Sequence, residues 1–316
     1  MTEPGAAPAI RTDGLTRRFG AVTAVDDISY EVPWGAISGL IGPNGAGKTT
    51  LLSLLCGYLR PSAGGGTVLG HRFGELPALK GRLGVFPQDA SLNPRRPVVH
   101  QLALWAELSG MSRAEAVAAA KRALERVGLA DRARDLAGTL SHGMAKRAGI
   151  AAAFMGAPEL VLLDEPTAGL DPRSAHQIRS LYSALRGRAT VVVSSHNLQE
   201  LQEVCDHATI VDRGRIVAQG PLDDITVADT EVRISLAPSS APPPSVEALA
   251  ALDGVTGAEL TEDGRSVLVR FVDDPARGVE VPLAAVLRHL LDAEALISEI
   301  HRGRSLEERF LELTST

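Results

Sequence analysis

The sequence is poor in cysteine, with only Cys56 and Cys205 among 316 residues. The two lie far apart, and each sits in an apolar stretch typical of a helix. Neither a disulfide nor a cysteine-based metal site is therefore expected. We predict two buried free thiols.

No apolar run reaches the ~20 residues that cross a bilayer as a helix. The most apolar span, residues 148–163, is interrupted by Pro158 and Glu159. The opening stretch MTEPGAAPAIRTDG joins no basic region to an apolar one, so no signal peptide is predicted. We expect a cytosolic chain whose membrane role, if it has one, comes through a partner chain.

The sequence also has no excess of positive charge, since it contains 32 lysines and arginines against 38 acidic residues and its net charge is -6. Nucleic acid is therefore not an expected partner. There is no internal repeat, no long coiled-coil pattern and no N-K-x-D guanine motif. The missing guanine motif argues against an ordinary GTPase.

The pattern that is present, from residue 9 to about 229, alternates short β-branched runs with longer helical stretches. Such alternation predicts a layered α/β domain with a largely parallel sheet. A helical subdomain is predicted at about residues 90–157, where no convincing strand occurs. The predicted strands are AISGLIG, LGVFPQ, ELVLLDE, ATVVVSSH and HATIVDRGRIV.

A second domain is predicted at residues 230–316. Its elements follow the order strand, helix, strand, strand, helix, strand, which is typical of a ferredoxin-like unit. The segment APSSAPPPS interrupts it with a stiff linker or exposed loop. A last helix carries Leu306, Phe310, Leu311 and Leu313, which we expect on one face.

The stretch GPNGAGKTT, residues 42–50, matches G-x-x-x-x-G-K-S/T between a predicted strand and a predicted helix. Its glycines let successive backbone N–H groups point at an anion, and the helix N-terminus favours phosphate. Lys48 would reach the β- and γ-phosphates of a nucleotide, while the Thr49 hydroxyl would bind magnesium. The predicted phosphate-binding residues are Gly42, Asn44, Gly45, Ala46, Gly47, Lys48, Thr49 and Thr50.

The apolar strand ELVLLDE ends in two carboxylates, Asp164 and Glu165, at the sheet edge where a nucleotide would lie. We predict that Asp164 holds magnesium through water. Glu165 is predicted to orient and polarise the attacking water.

Further motifs follow in a fixed order, namely VFPQD with Gln88, LSHGM with Ser141 and Gly143, AGLDP with Asp171, and VVVSSHN with His196. Together with LLDEPT, they resemble the nucleotide-binding subunit of an ATP-binding-cassette (ABC) transporter over roughly residues 10–225. The resemblance implies an ABC-type P-loop domain at residues 1–229, followed by the small α+β domain.

The family pattern implies a head-to-tail dimer of two copies that bury two ATP molecules between them. Ser141 and Gly143 of one copy would donate to the γ-phosphate held by Lys48 of the other copy. Asp171 would link the two sites across the interface.

Three more roles are implied within one copy. His196 would contact the γ-phosphate, and Gln88 would approach magnesium and the attacking water on a loop that senses a membrane partner. Phe19 in LTRRFG is placed like the aromatic that stacks on adenine, although a plain core phenylalanine is the alternative.

The motif LSHGM is the counterpart of the family's signature sequence, which is usually L-S-G-G-Q. It departs from that sequence because His142 and Met144 replace a glycine and the glutamine. ATP hydrolysis is still expected, since Ser141 and Gly143 remain. Two interpretations of His142 are open. Its ring could carry a charge beside phosphate, or the residue could be a tolerated substitution at the surface. LSHGM and the tail GRSLEERFLELT are similar to drug and antibiotic exporters.

The predicted function is ATP binding and hydrolysis that powers small-molecule export through a separate integral-membrane permease. The chain would then lie at the cytoplasmic face of the membrane. Two alternatives are a soluble cassette protein without a permease and a nucleotide-sensing regulator that scarcely hydrolyses ATP.

Overall fold

A computed structural model describes residues 7–226, 231–237, 245–261, 264–272, 279–302 and 306–314. The chain divides into two compact units, Met1–Leu222 and Asp223–Thr316. The domain boundary predicted after residue 229, and all but the two ends of the predicted linker, lie outside the described residues.

The strands of the first unit form two sheets. One is six-stranded in the order β11, β10, β4, β9, β8, β7, and its neighbours are parallel except for β10 and β11. The other is antiparallel, in the order β2, β1, β5, β6, with β3 paired to β1. The strands are β1 (Ile10–Phe19), β2 (Val22–Ile28), β3 (Glu31–Val32), β4 (Ile37–Ile41), β5 (Ala63–Val68), β6 (His71–Arg72), β7 (Leu83–Phe86), β8 (Leu160–Asp164), β9 (Thr190–Ser195), β10 (His207–Asp212) and β11 (Arg215–Pro221).

The central strands β4, β8 and β9 are buried at every position. They read as continuous apolar or small-residue runs because both faces of a parallel sheet are covered. Parallel direction also brings the carboxyl ends of β4, β7, β8 and β9 to one edge of the sheet. In open α/β sheets this edge is where ligands bind.

The predicted strands of this sheet are confirmed with one change. HATIVDRGRIV forms a hairpin of β10 and β11, with Asp212 opposite Arg215. Its turn residues, Arg213 and Gly214, have φ of 46° and 80°. Two positive φ values suit the two-residue turns that match strand twist, so the chain reverses here.

The helices of the first unit include three in the region between Asn93 and Gly156, where the described residues form no strand. α4 begins with a capping box between Ser112 and Glu115, and it buries Ala116, Ala120 and Leu124 on one face. The helices are α1 (Lys48–Leu55), α2 (Leu76–Leu79), α3 (Val98–Leu108), α4 (Arg113–Arg126), α5 (His142–Ala153), α6 (Pro172–Ser183), α7 (Leu198–Val204) and α8 (Leu222–Thr226), which runs into the second unit.

The second unit has a four-stranded antiparallel sheet in the order β13, β14, β12, β15. Its elements occur in the order predicted from the sequence. They are β12 (Glu231–Leu236), α9 (Val246–Ala250), β13 (Val255–Leu260), β14 (Ser266–Phe271), α10 (Glu280–Asp292), β15 (Ile297–Arg302) and α11 (Leu306–Thr314).

The prediction that four apolar residues of α11 share one face is wrong for Leu311. Leu306 is buried, whereas Leu311 is 54% exposed. Five residues turn a helix by about 140° beyond one full turn, so Leu311 is carried away from the face of Leu306.

Both cysteines are free and buried, as the sequence predicted. Burial raises the pKa of both thiols. Among the described helices, none is both long enough and apolar enough to cross a membrane.

Candidate active site

The loop between β4 and α1 contains two glycines at which a side chain would collide with neighbouring backbone. A Cβ on Gly42 would lie 2.3 Å from the carbonyl oxygen of Val211. Gly47 has a φ of 105°, and a Cβ there would lie 2.3 Å from the carbonyl oxygen of Ala24. The backbone therefore passes close to its neighbours before α1 begins at Lys48.

The Lys48 ammonium is folded back over this loop. Its Nζ donates to the carbonyl oxygens of Gly42 at 2.7 Å and Pro43 at 3.1 Å. Burial lowers the pKa of Lys48, and the nearby charges of Glu165 and Asp164 oppose that shift. A positive charge is thus held beside two carboxylates at the N-terminus of α1.

A cavity of about 330 Å³ opens over the loop. It joins groups from the carboxyl ends of four parallel strands, which come together because the strands share one edge. Its lining residues are Ala24, Asn44, Gly45, Gly47, Lys48, Thr49, Thr50, Gln88, Asp164, Glu165, Ala168 and His196.

Six of the predicted site residues lie outside this lining. Two of them belong to the loop. Ala46 is buried in the core, and the carbonyl oxygen of Gly42 accepts a hydrogen bond from Lys48. The other four are Phe19, Ser141, Gly143 and Asp171.

Asp164 is the last residue of β8, and only 3% of the residue is exposed to solvent. Its Oδ1 accepts a hydrogen bond from the Ser194 hydroxyl at 2.5 Å, because Ser194 lies opposite it in the parallel pairing of β8 and β9. Its Oδ2 is buried and has no hydrogen-bond partner among the residues that the structure describes. A buried carboxylate oxygen left unpaired in this way fits a cation.

The donor set suits magnesium held together with a nucleotide. Within the described residues, no group of three His, Cys, Asp or Glu side chains could hold a metal ion by itself. Magnesium is commonly bound by one or two protein groups plus substrate phosphates. Asp164, Thr49 and Gln88 line the cavity and could supply the protein oxygens.

Glu165 follows in a strained backbone conformation, with a φ of 49°. Its N–H donates to the Ser194 hydroxyl at 2.9 Å. Its Oε2 lies 2.8 Å from Nδ1 of His196, whose ring is 64% exposed. The carboxylate is therefore buried in the site and fixed against an imidazole that faces solvent.

Ser194 and Lys146 contact the site and were not predicted from the sequence. Ser194 bonds to both carboxylate-bearing residues, and its place two residues before His196 in VVVSSH was the only available signal. Lys146 donates from Nζ to the carbonyl oxygens of Glu165 at 2.7 Å and Ala168 at 2.5 Å. Its position within a helix gave no sign of these contacts.

The signature residues lie at the N-terminus of α5. Ser141 is the N-cap, and its hydroxyl accepts from the backbone N–H of Met144 at 3.3 Å. His142, the first residue of the helix, is exposed, as Ser141 is. A helix start with exposed donors is a suitable place for an anion from another molecule.

Asp171 is the N-cap of α6 and accepts from the Ser174 N–H at 3.0 Å. This hydrogen bonding to Ser174 lowers the pKa of Asp171. Phe19 ends β1 opposite Val22 and is 45% exposed. Ala24, on the second strand of the same hairpin, lines the cavity.

A glycine loop between a buried strand and a helix, with carboxylates at a neighbouring strand end, defines a P-loop nucleotide-binding domain. The family model for the ABC transporter matches residues 25–168. The chain is 34% identical over 309 residues to the daunorubicin resistance ATP-binding protein DrrA3 of Streptomyces coeruleorubidus, covering 97% of this chain and 96% of that protein.

The chain is also 32% identical to the Nod factor export ATP-binding protein I of Ralstonia nicotianae, covering 98% of this chain and 95% of the relative. A solved structure of an ATP-binding subunit of an ABC transporter superposes with a TM-score of 0.64 at 29% identity, covering 69% of this chain and 91% of that one. The chain belongs to the ABC transporter family of ATP-binding proteins. Domains of this family bind and hydrolyse ATP, usually with magnesium.

Proposed function

We propose that this chain binds and hydrolyses ATP to power export of a small molecule through a separate membrane permease. The observation that carries the proposal is the cavity where Lys48, Asp164, Glu165 and His196 meet. The names of the relatives support the export role, since one is a drug-resistance protein and another an export protein. Both align along nearly their whole length, so the comparison includes the second unit.

In the proposed reaction, the loop amides and Lys48 bind the β- and γ-phosphates of ATP. Glu165 orients a water molecule and accepts its proton while the water oxygen bonds to the γ-phosphorus. The bond from that phosphorus to the bridging oxygen breaks, and ADP and inorganic phosphate leave. His196, fixed by Glu165, contacts the γ-phosphate.

The Thr49 hydroxyl, Asp164 and Gln88 would hold magnesium beside these phosphates. When bound, the ion neutralises phosphate charge that opposes attack. The Oδ2 of Asp164 supports this assignment, because this buried oxygen has no hydrogen-bond partner within the described part of the chain.

A second copy would complete each site in a head-to-tail dimer. Ser141 and Gly143 lie outside the cavity of their own chain. Ser141 caps α5, a helix of 12 residues, and Gly143 lies in its first turn. Both would donate to the γ-phosphate bound by the other copy. Asp171, exposed at the start of α6, would link the two sites.

The permease would dock in a groove of about 420 Å³ beside β7, α3 and α5. Phe86, Pro87 and Trp105 line this groove, and Leu108 on the same α3 is 66% exposed. Pro87 directly precedes Gln88, so one loop touches both the groove and the nucleotide cavity. The chain would then be peripheral, at the cytoplasmic face of the membrane.

Residues 230–316 are proposed to form a ferredoxin-like accessory domain after a nucleotide-binding domain at residues 1–229. The strand order β13, β14, β12, β15 supports this. In it the first and third strands of the unit lie side by side at the centre, as a split βαβ arrangement requires. No ligand site is assigned to this domain.

Replacing Glu165 with glutamine tests the proposed chemistry. Glu165→Gln should bind ATP normally and lower hydrolysis at least ~10²–10³-fold, the scale of losing one transition-state group. It should also accumulate an ATP-bound dimer in size-exclusion chromatography. Glu125→Gln, an exposed substitution on α4, is the matched control. Near-normal turnover in Glu165→Gln would exclude this carboxylate as the catalytic base.

The export role needs a separate experiment. A pull-down in mild detergent from the native host should recover an integral-membrane protein with this chain. Recovery of soluble partners alone would favour the alternatives of a soluble cassette protein or a nucleotide-sensing regulator.

A further inference from the structure

The backbone of Glu165 is held at both of its polar groups. A non-glycine residue with φ of 49° persists only where its surroundings hold it there. The N–H of Glu165 donates to Ser194 at 2.9 Å. Its carbonyl oxygen accepts from the Lys146 ammonium at 2.7 Å.

Lys146 reaches this carbonyl from a different part of the fold. It lies on α5, the helix that begins after Ser141, and its Nζ also donates to the carbonyl oxygen of Ala168 at 2.5 Å. One ammonium therefore joins α5 to both ends of the segment 165–168. Ala168 and Glu165 both line the nucleotide cavity.

The environment of Lys146 strengthens these contacts. Partial burial lowers the pKa of Lys146, and the charge of Glu165 opposes that shift. Hydrogen bonds from a charged donor are shorter and stronger than neutral ones, and partial exclusion of water reinforces them.

We propose that Lys146 is a positioning residue that keeps Glu165 in its left-handed conformation and so aims the carboxylate for water activation. This inference rests on the proposed function, in which Glu165 is the catalytic base. Lys146 touches neither nucleotide nor water in this scheme. It links the helix that Ser141 caps to the backbone of the residue whose carboxylate acts at the γ-phosphate.

Loss of the ammonium releases the Glu165 carbonyl, so the backbone can relax toward an ordinary φ. The carboxylate then leaves its position beside His196. The phosphate loop is untouched, so ATP binding stays as it was. A fault confined to orientation lowers kcat and leaves KM unchanged.

The test compares Lys146→Met with Arg147→Met in the full-length chain. Arg147 is the next residue on α5, and it bonds to the carbonyl of Val127 at 2.9 Å and to Gln177 instead. Lys146→Met should lower kcat by about 10²-fold, the effect of a displacement of about 1 Å at a reacting group. KM and the calorimetric ATP affinity should stay within about twofold of the unmodified chain, and Arg147→Met should keep its kcat.

Lys146→Arg gives the rescue, since its guanidinium also carries several donors. It should recover part of the lost kcat. Lys146→Gln should recover less, because the glutamine side chain is shorter and its amide is uncharged. This series keeps the test decisive if Lys146→Met does not fold, as judged by thermal unfolding. Equal kcat in the arginine, glutamine and unmodified forms would overturn the proposal.

A double variant separates this inference from the proposed function. If Lys146 acts only through Glu165, adding Lys146→Met to Glu165→Gln causes no further loss of hydrolysis. A full additional loss, or weakened ATP binding in Lys146→Met alone, would overturn the positioning role. If Glu165→Gln is inactive while Lys146→Met is normal, only this inference fails. If Glu165→Gln itself turns over normally, the proposed function fails.

Discussion

The guanidinium carbon of Arg17 lies 4.5 Å from the centroid of the Phe19 ring. The arginine is fixed there by a hydrogen bond from Nη1 to the carbonyl oxygen of Arg60 at 3.0 Å. A cation over an aromatic face is a favourable contact. It orients a ring at the end of β1, beside the hairpin strand that reaches the nucleotide cavity, and with the arginine in place Phe19 remains 45% exposed.

If Phe19 stacks on adenine, Phe19→Leu should weaken binding of ATP and leave binding of inorganic tripolyphosphate unchanged. Stacking of a base on an aromatic ring contributes about 1–3 kcal/mol, so ATP affinity should fall by about fivefold or more. Calorimetry with both ligands measures the difference. Phe73→Leu, which alters a phenylalanine packed against the core, is the control. Equal losses for both ligands would show that Phe19 serves only the fold.

Lys48→Ala should lower ATP affinity by more than about tenfold, because the charge that meets the β- and γ-phosphates is removed. The charges of Glu165 and Asp164 nearby are then no longer offset by the lysine ammonium. Calorimetric titration checks this, with the exposed Lys121→Ala on α4 as the control. Unchanged affinity would count against the phosphate role of the loop.

Asp164→Asn should reduce the gain in ATP affinity that magnesium provides. The amide oxygen can still accept from Ser194, so the fold of the strand end is retained, while the charged Oδ2 is lost. ATP titrations in magnesium and in EDTA give the gain for each protein. Asp131→Asn, an exposed change, should behave like the unmodified chain. An equal magnesium effect in Asp164→Asn would remove Asp164 from the metal site.

The parts of the site that could be predicted from sequence are those set by local spacing. Lys48 must follow its glycines, and Glu165 must follow an apolar strand, so each could be placed on the chain without coordinates. Ser194 and Lys146 could not, because their contacts depend on the pairing of β8 with β9 and on the packing of α5. These are relationships between distant segments that no local pattern records.

The antiparallel sheet was missed for a similar reason. β5 has the sequence AGGGTV, and its glycines carry no alternating apolar pattern. Gly66 is there for close approach, since a Cβ would lie 2.3 Å from the Arg11 carbonyl oxygen. The pairing with β1 explains the glycines, whereas the glycines alone predict only a loop.

The buried cysteines give a prediction about thiol reactivity. Cys56 and Cys205 are 8% and 7% exposed, and burial raises the pKa of each thiol. The thiolate is the reactive form, so both should react slowly with Ellman's reagent at a pH of about 8. Both should react fully in denaturant. Rapid reaction of either one in the folded chain would contradict its burial.

The same raised pKa values predict how stability depends on pH. The unfolded thiols lose their protons around a pH of about 8.5, whereas the folded thiols keep theirs to higher pH. The contribution to the free energy of unfolding is therefore complete below about pH 8.5 and is lost progressively as pH rises through the folded pKa values. Urea unfolding between pH about 7 and 10 should show this decline. Cys205→Ala removes one of the two buried thiols and should flatten the alkaline part of the curve. An unchanged slope would show that other groups cause it.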